Sequence, residues 1–276
     1  MTGERTPRVL VTNDDGVHAP GIRALARAAY ERGLDVVVAA PQAEASGMSA
    51  ALSAVTEDGR LVFAETELAG LPQVPAYGVA ASPAYIAVLA GLGVFGPPPD
   101  VLLSGINRGA NAGHAILHSG TVGAALTAGN SGIRALAVSL DVLTALVASA
   151  GSGGAAVAVL DTEDDEARHW STAADLAMTL LPALLDADPG TVLNLNVPDR
   201  PAAEVAGLRQ ATLAPFGQVQ VSVAERGEGF VRTGVEESGS RPLPGTDLAW
   251  LAEGCAAVTA VRALGHLPDV ALPVDR

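Results

Sequence analysis

Two adjacent carboxylates follow a short apolar run near the start of the chain. Residues 9–16 read Val-Leu-Val-Thr-Asn-Asp-Asp-Gly, and residues 8–11 are predicted as a buried parallel strand, which is typically a short apolar run. Ligands of open α/β sheets bind at the carboxyl ends of these strands. Neighbouring carboxylates repel each other unless a cation or hydrogen-bond donors hold them, and Mg²⁺ prefers oxygen ligands. Asp14 and Asp15 therefore indicate a cation site, although Asn-Asp-Asp-Gly is also ordinary turn chemistry.

Polar residues also follow two later apolar runs. Residues 34–40 are predicted as a buried strand that Pro41 ends, and the loop after it contains Ser46. Residues 101–103 are predicted as another strand, which leads into Ser-Gly-Ile-Asn-Arg-Gly-Ala-Asn-Ala-Gly at 104–113. Because adjacent parallel strands end at one edge of the sheet, we expect these oxygen-bearing side chains to converge as a shell for Mg²⁺ or Mn²⁺. The predicted ligands are Asp14, Asp15, Ser46 and Asn107.

A small polar loop opens a predicted helix. Residues 118–125 read His-Ser-Gly-Thr-Val-Gly-Ala-Ala. Free backbone N–H groups at a helix start, with the hydroxyls of Ser119 and Thr121, make a cradle for a phosphate. The same residues also fit an ordinary helix cap with nothing bound. A cation site beside an anion site predicts hydrolysis of a phosphomonoester by a metal-activated water.

The elements that must position these residues alternate between strand and helix over the first 140 residues. This alternation indicates a parallel sheet with helices on both faces. Further strands are predicted over residues 135–140 and 192–197. Helices are predicted from about Pro20 and over residues 82–92, 121–128 and 171–185. The predicted fold is α/β, a three-layer, Rossmann-like and mostly parallel sheet.

The C-terminal part has a different composition. Residues 205–245 are rich in Val, Gly and polar residues, which indicates β-hairpins and long loops in a subdomain or an oligomer arm. We predict a single domain over residues 1–276, with the Rossmann-like core in 1–200 and the arm and closing elements in 201–276. The acidic run at 161–166 is typical of a solvated helix start rather than of a site.

Composition excludes several classes of function. The chain has 276 residues, 49% of them hydrophobic, a net charge of −14 and no lysine, so it has no P-loop, Schiff-base or general-base lysine. The negative charge argues against a nucleic acid polymer as partner, although a metal ion can make a local site for a small anion. Cys255 is the single cysteine, which excludes an intrachain disulfide. Signal-peptide and membrane-spanning patterns are absent, so we expect a cytoplasmic protein with no membrane partner.

Several of these segments, in their order along the chain, resemble the SurE family, the survival-protein nucleotidases. The segments are 11–16, 19–22, 46–47, 104–113 and 119–125, with sparser matches at 194–198 and 245–247. The resemblance implies a divalent-metal-dependent phosphatase of nucleoside monophosphates. It also implies a Rossmann-like core and a C-terminal arm exchanged in a homodimer or homotetramer.

The resemblance also implies roles for individual residues. By position, the metal ligands are Asp14, Asp15, Ser46 and Asn107. The residues that line the phosphate pocket are Asn13, Asn111, Ser119, Gly120 and Thr121. We predict Asp14, Asp15 and Asn111 as the catalytic residues and place His118 with the phosphate-binding set.

Departures from the family pattern concern the substrate. Residues 42–45 read Gln-Ala-Glu-Ala where the family usually carries basic and polar residues, and His118 stands where Tyr is usual. His118 would donate a hydrogen bond to the phosphate or act as a general acid. Alternatively, it would only fill the space that the Tyr side chain occupies in the family. The stretch from about 141 to 168 resembles an insertion. The expected substrate is a nucleotide or another phosphomonoester, and a specialised nucleotide or biosynthetic intermediate is a hypothesis.

Alternatives to this reading remain open. Asp14 or Asp15 could attack the phosphorus in line, and Arg108 could pair with a phosphate or with an acid at the sheet edge. A protein that binds nucleotides or regulates without catalysis could keep the same fold. A Rossmann enzyme of glycosyl or hydride transfer fits less well, because residues 13–16 lack the Gly-x-Gly-x-x-Gly turn.

Overall fold

The chain is organised around one large sheet. The computed structural model describes residues 5–45, 48–58, 60–142, 165–217, 219–237 and 242–262. The strands are β1 (Arg8–Thr12), β2 (Asp35–Pro41), β3 (Thr56–Glu57), β4 (Arg60–Leu61), β5 (Phe63–Thr66), β6 (Ala76–Val79), β7 (Val101–Arg108), β8 (Arg134–Asp141), β9 (Val192–Pro198), β10 (Leu208–Gln210), β11 (Val219–Gly227), β12 (Phe230–Glu237) and β13 (Ala256–Val261). The α-helices are α1 (Pro20–Glu31), α2 (Pro83–Gly91), α3 (Gly120–Asn130), α4 (Trp170–Asp186) and α5 (Asp247–Ala252). Short 3₁₀ helices span Gly113–His118, Asp165–Ala167 and Ala202–Glu204.

Nine strands form the main sheet, in the order β10-β13-β9-β8-β7-β1-β2-β6-β5. Neighbouring strands are parallel, except that β13 runs antiparallel to β9 and β5 antiparallel to β6. β11 and β12 pair as a separate antiparallel hairpin, and β3 pairs with β4. The predicted α/β fold, with a mostly parallel sheet and a C-terminal hairpin, is confirmed.

Helices cover both faces of this sheet. On one face Val9 of β1 packs in a core with Ile22 of α1 and Met178 of α4. On the other face Leu10 packs with residues of α2 and α3, such as Val122. Successive residues of a strand point to opposite faces, so a strand buried on both sides needs a continuous apolar run. This double burial gives the three layers predicted from sequence.

Two helices begin with a serine side chain as the cap. The hydroxyl of Ser82 accepts the N–H of Tyr85 at 3.4 Å at the start of α2, with Pro83 in the first turn. The hydroxyl of Ser119 accepts the N–H of Val122 at 3.1 Å at the start of α3. Ser119 therefore begins the helix as well as belonging to the predicted phosphate site.

β7 is longer than predicted. The apolar run indicated a strand that ends at Leu103, whereas the strand continues to Arg108. Its pairing with β8 resumes after an irregularity in register between Ser104 and Asn107. Polar side chains do not prevent backbone pairing, so the apolar run alone understates the strand. Asn107 consequently lies in the strand, held by β8, instead of in the following loop.

The strand order changes direction between β1 and β7. β1 connects through α1 to β2 on one side, whereas β7 connects through α3 to β8 on the other. Ligands of doubly wound sheets bind in the crevice at such a switch point. Asp14 and Asp15 follow β1, and Asn107 lies near the end of β7. The predicted cation ligands therefore flank this crevice.

Some parts of the chain were not anticipated or are not described. Sequence patterns did not indicate β3 to β6, which are two to four residues long and too short for a clear periodicity. Of the predicted insertion, residues 143–164 lie outside the described residues. The division of the chain near residue 200 stays a prediction. In the part of the chain that the structure describes, no helix has the length and apolar character needed to cross a membrane.

Candidate metal and phosphate site

The turn after β1 is built by Asn13. Its Nδ2 donates to the carbonyl of Gly16 at 3.0 Å, and the Gly16 N–H donates to its Oδ1 at 3.2 Å. Gly16 has a φ of 104°, which a residue with a side chain rarely adopts. Asn13 is fully buried and does not line the cavity described below. Its observed contacts shape the turn that presents Asp14 and Asp15, and its phosphate-binding role stays a prediction.

The first turn of α3 packs directly on Asp14. The hydroxyl and the backbone N–H of Thr121 both donate to the Asp14 carboxylate. A Cβ atom on Gly120 would lie only 2.7 Å from Asp14 Oδ2, so no residue with a side chain fits without a shift. Thr121 Oγ1 also lies 3.2 Å from Oδ1 of Asn107, whose Nδ2 donates to the Gly109 carbonyl at 2.7 Å. Residues from β1, β7 and α3 therefore meet at one point.

Asp15 carries a buried oxygen, Oδ2, with no hydrogen-bond partner in the part of the chain that the structure describes. Burial raises the pKa of Asp15 to about 7, and repulsion from Asp14 adds to the rise. Burial also raises the pKa of Asp14, against the hydrogen bonds from Thr121 that favour its ionised form. Two neighbouring carboxylates are thus held in a setting that disfavours their charges.

The chemistry of these donors fits a hard divalent cation. Asp14 and Asp15 supply carboxylate oxygens, Asn107 supplies a carboxamide oxygen, and a cation would engage the unpartnered Asp15 oxygen and offset both charges. Ser46 lies outside the described residues, and its role as a ligand stays a prediction. Within the described ranges, no group of three His, Cys, Asp or Glu side chains is placed to hold a metal ion. Binding would therefore depend on amide and hydroxyl oxygens as well as on the two carboxylates.

A cavity of about 720 Å³ opens beside this donor set. Six of the predicted site residues line it, namely Asp14, Asp15, Asn107, Asn111, His118 and Ser119. Gly120 and Thr121 lie next to it, against Asp14. The structure thus brings together every predicted site residue that it describes except Asn13, which is placed in the turn. His118 is exposed at the cavity, and its role stays a prediction.

Other cavity residues were missed or only partly anticipated. Arg108 Nη1 pairs with Asp165 Oδ2 at 3.1 Å, which is the ion pair with an acid that was one alternative for Arg108. The Trp170 indole N–H donates to the Asp165 carbonyl at 2.6 Å, and both residues line the cavity. Of the acidic run at 161–166, the structure describes Asp165 and Glu166, which begin a 3₁₀ helix as predicted. Asp165 also lines the cavity, which the prediction of a solvated run did not anticipate. Glu44 also lines the cavity. Its position in the loop that contains the predicted ligand Ser46 could have indicated this from sequence.

Comparisons with known proteins identify the family of the chain. The family model for the survival protein SurE matches residues 9–218. The 5'/3'-nucleotidase SurE of Shigella dysenteriae serotype 1 is 34% identical over 261 residues, which cover 92% of this chain and 90% of that protein. The protein of the same description from Escherichia coli O1:K1 / APEC is 34% identical over 258 residues, covering 91% and 88%. The crystal structure of the SurE protein from Aquifex aeolicus matches with a TM-score of 0.69, at 27% identity over 93% of each chain. The chain belongs to the SurE family.

Proposed function

We propose that this protein is a divalent-metal-dependent phosphomonoesterase that hydrolyses nucleoside monophosphates to nucleoside and phosphate. One observation carries the proposal: the first turn of α3 is bonded to Asp14 through Thr121, while Asp14 and Ser119 line the same cavity. Helix starts of this kind attract phosphate, and paired carboxylates attract a cation. A phosphoryl group in the cavity would meet both.

The ion and the phosphate would use different side chains. Asp14, Asp15 and Asn107, together with Ser46, would hold Mg²⁺ or Mn²⁺. When bound, the ion supplies Lewis acidity toward a phosphoryl oxygen and makes a water more acidic. The hydroxyl of Ser119 and the N–H of Gly120 would bind the phosphate oxygens, because the Thr121 N–H is bonded to Asp14 and the Val122 N–H to the Ser119 cap. Asn111, at the cavity wall, would orient the reacting phosphoryl group.

The leaving group would lie toward the wall of the cavity that carries His118. His118 is exposed there and could donate a proton to the departing oxygen of the alcohol. The Arg108–Asp165 ion pair and Trp170 line the same cavity and would contact the nucleoside. A volume of about 720 Å³ falls in the range of small-molecule sites. Relatives described as 5'/3'-nucleotidases support a nucleotide as the substrate class.

A specialised substrate is part of the proposal. Glu44 lines the cavity, in a loop where the family usually has basic and polar residues, and His118 replaces the usual Tyr. These two changes alter the charge and shape of the wall and leave Asp14, Asp15 and Asn107 in place. A clean preference for ordinary nucleoside monophosphates over modified ones would contradict specialisation without contradicting the phosphatase activity.

Phosphate release tests the proposal. The assay uses ordinary and modified nucleoside monophosphates and p-nitrophenyl phosphate, with Mn²⁺, Mg²⁺ or EDTA. We expect metal-dependent release that Asp14→Asn abolishes and that Asp175→Asn retains, since Asp175 is an exposed carboxylate of α4. No release from any compound by folded protein would contradict the proposal. Nucleotide binding by calorimetry without turnover would instead favour a non-catalytic binding protein.

The oligomeric state and the cellular location stay predictions. The β11–β12 hairpin exposes apolar side chains such as Val223, Phe230 and Val231, which supports its role as an arm between subunits of a homodimer or homotetramer. Sedimentation of the full chain would distinguish these states from a monomer. The cytoplasmic location rests on the sequence patterns alone.

A further inference from the structure

Two buried asparagines hold the backbone of Asn111. The Asn111 N–H donates to Oδ1 of Asn196 at 2.8 Å, and the Asn111 carbonyl accepts from Nδ2 of Asn196 at 2.8 Å. Nδ2 of Asn194 donates to the same carbonyl at 2.8 Å. Asn194 and Asn196 are two residues apart on β9, so they point to the same face of the sheet, and both are fully buried. One carboxamide thus pairs with both backbone hydrogen-bonding groups of Asn111.

The side chain of Asn111 is held by the neighbouring strand. Its Nδ2 donates to the hydroxyl of Ser139 on β8 at 2.9 Å. Ser139 is in register with Asn196 across the β8–β9 pair. Backbone and side chain of Asn111 are therefore tied to two adjacent strands of a rigid sheet. Asn111 lines the cavity, whereas Asn196, Asn194 and Ser139 lie behind it.

The segment that carries Asn111 needs such support. Residues 109–112 join β7 to the following 3₁₀ helix without regular secondary structure of their own. A site residue on a segment of this kind keeps its position only if other groups satisfy its backbone. A carboxamide suits the task because it presents a donor and an acceptor together. An aspartate in place of Asn196 would set an oxygen against the Asn111 carbonyl, and an alanine would leave buried backbone groups unpaired.

We propose that Asn196, assisted by Asn194, is a positioning residue that fixes Asn111 at the wall of the active cavity. The inference rests on the proposed function, because it concerns the same site. Its effect passes through Asn111, since neither β9 asparagine lines the cavity. The hydrogen bonds of these asparagines in the described part of the chain go to Asn111, not to the carboxylates of the turn after β1.

Substitution of Asn196 tests the inference in the full chain. We expect Asn196→Asp to lower kcat for p-nitrophenyl phosphate by about 10- to 100-fold, because a misplacement of about 1 Å costs up to that much. The dissociation constant of Mn²⁺, measured by calorimetry, should change little. Thr259→Val is the matched control: Thr259 is a buried β13 residue in register with Asn194, and its hydroxyl has no partner among the described residues. Equal kcat for the two variants would overturn the inference.

A double-mutant cycle with Asn111→Ala separates positioning from general support. If Asn196 acts through the Asn111 side chain, Asn196→Asp lowers kcat strongly in the wild-type background and little in the Asn111→Ala background. An equal loss of kcat in both backgrounds would overturn the inference. The melting temperature of each variant is recorded, so that a loss of kcat can be separated from a loss of stability. Absence of hydrolysis by the wild type would overturn the proposed function and this inference with it. Hydrolysis by the wild type that Asn196→Asp leaves intact would overturn the inference alone.

Discussion

The hydroxyl and the backbone N–H of Thr121 donate to the carboxylate of Asp14. The contact joins the first turn of α3 to the turn after β1, across 107 residues of sequence. A carboxylate at a helix start is stabilised by the helix dipole and by the unpaired N–H groups there. One helix end thus holds a predicted metal ligand and, through Ser119, faces the cavity. The predicted cation and anion sites therefore share one helix end.

Removing the Thr121 hydroxyl should impair catalysis more than stability. We expect Thr121→Val to lower kcat by about tenfold or more, because a hydrogen bond to a charged group contributes about 1.5–3 kcal/mol. Thr121→Ser should retain most of the activity. The comparison is Thr127→Val, on the same helix, whose hydroxyl donates to the Gly123 carbonyl at 2.7 Å. Similar losses in steady-state kcat for the two valine variants would argue against a specific role for the Thr121–Asp14 contact.

Gly120 should not tolerate even a methyl group. A Cβ there would lie 2.7 Å from Asp14 Oδ2, so Gly120→Ala should displace either the carboxylate or the first turn of α3. We expect at least a tenfold weaker response to Mn²⁺ in the phosphatase assay, and a loss of stability of about 1–3 kcal/mol from overpacking. Gly91→Ala in α2 is the control, because its Cβ would lie 3.6 Å from Ile133 Cδ1, an ordinary contact. If Gly120→Ala responded to Mn²⁺ as Gly91→Ala does, that result would contradict the close packing of Gly120 on Asp14.

The central strands could be predicted because a strand that is buried on both faces requires a continuous apolar run in the sequence. β1 and β2 are nearly continuous apolar runs, and they were predicted to within about one residue of their observed ends. β7 was cut short at Leu103 because its last residues are polar, although backbone pairing with β8 continues. β3 to β6 are too short to show a period. Apolar patterning therefore locates a buried strand better than it locates a strand end.

The residues of the candidate site could be grouped from sequence where strand ends carry them, but not where the tertiary fold brings them to the cavity. Asp14, Asp15 and Asn107 could be grouped because parallel strands end at one edge of a sheet. Asp165 and Trp170 reach the cavity because of the way α4 packs on the sheet. Local sequence patterns do not predict that packing. The support of Asn111 by Asn194 and Asn196 had a visible signal, since two asparagines in a buried strand must find partners. Sequence alone did not indicate which partners.

Asp15 should make the metal-free protein less stable as the pH rises. Burial and the nearby Asp14 raise the pKa of Asp15 to about 7 in the folded protein, against about 3.9 in an unfolded chain. The folded protein therefore keeps a proton that the unfolded chain releases between about pH 4 and 7, and stability falls over that window. Below about pH 4 both states are protonated and the penalty is absent. Above about pH 7 the full penalty applies.

Replacing Asp15 with asparagine should remove this penalty together with the activity. In EDTA, we expect Asp15→Asn to melt at a higher temperature than the wild type at pH 7.5, with a smaller difference at pH 4.5, as followed by calorimetry. Asp175→Asn should match the wild type at both pH values, because Asp175 is exposed on α4. If the melting temperature of the wild type rose relative to that of Asp15→Asn between pH 5 and 7, the result would contradict a raised pKa of Asp15. Saturating Mn²⁺ should reverse the order of melting temperatures, because an ion that binds only the folded wild type stabilises it by mass action. A carboxylate that destabilises the metal-free fold and stabilises the metal-bound one is the behaviour expected of a metal ligand.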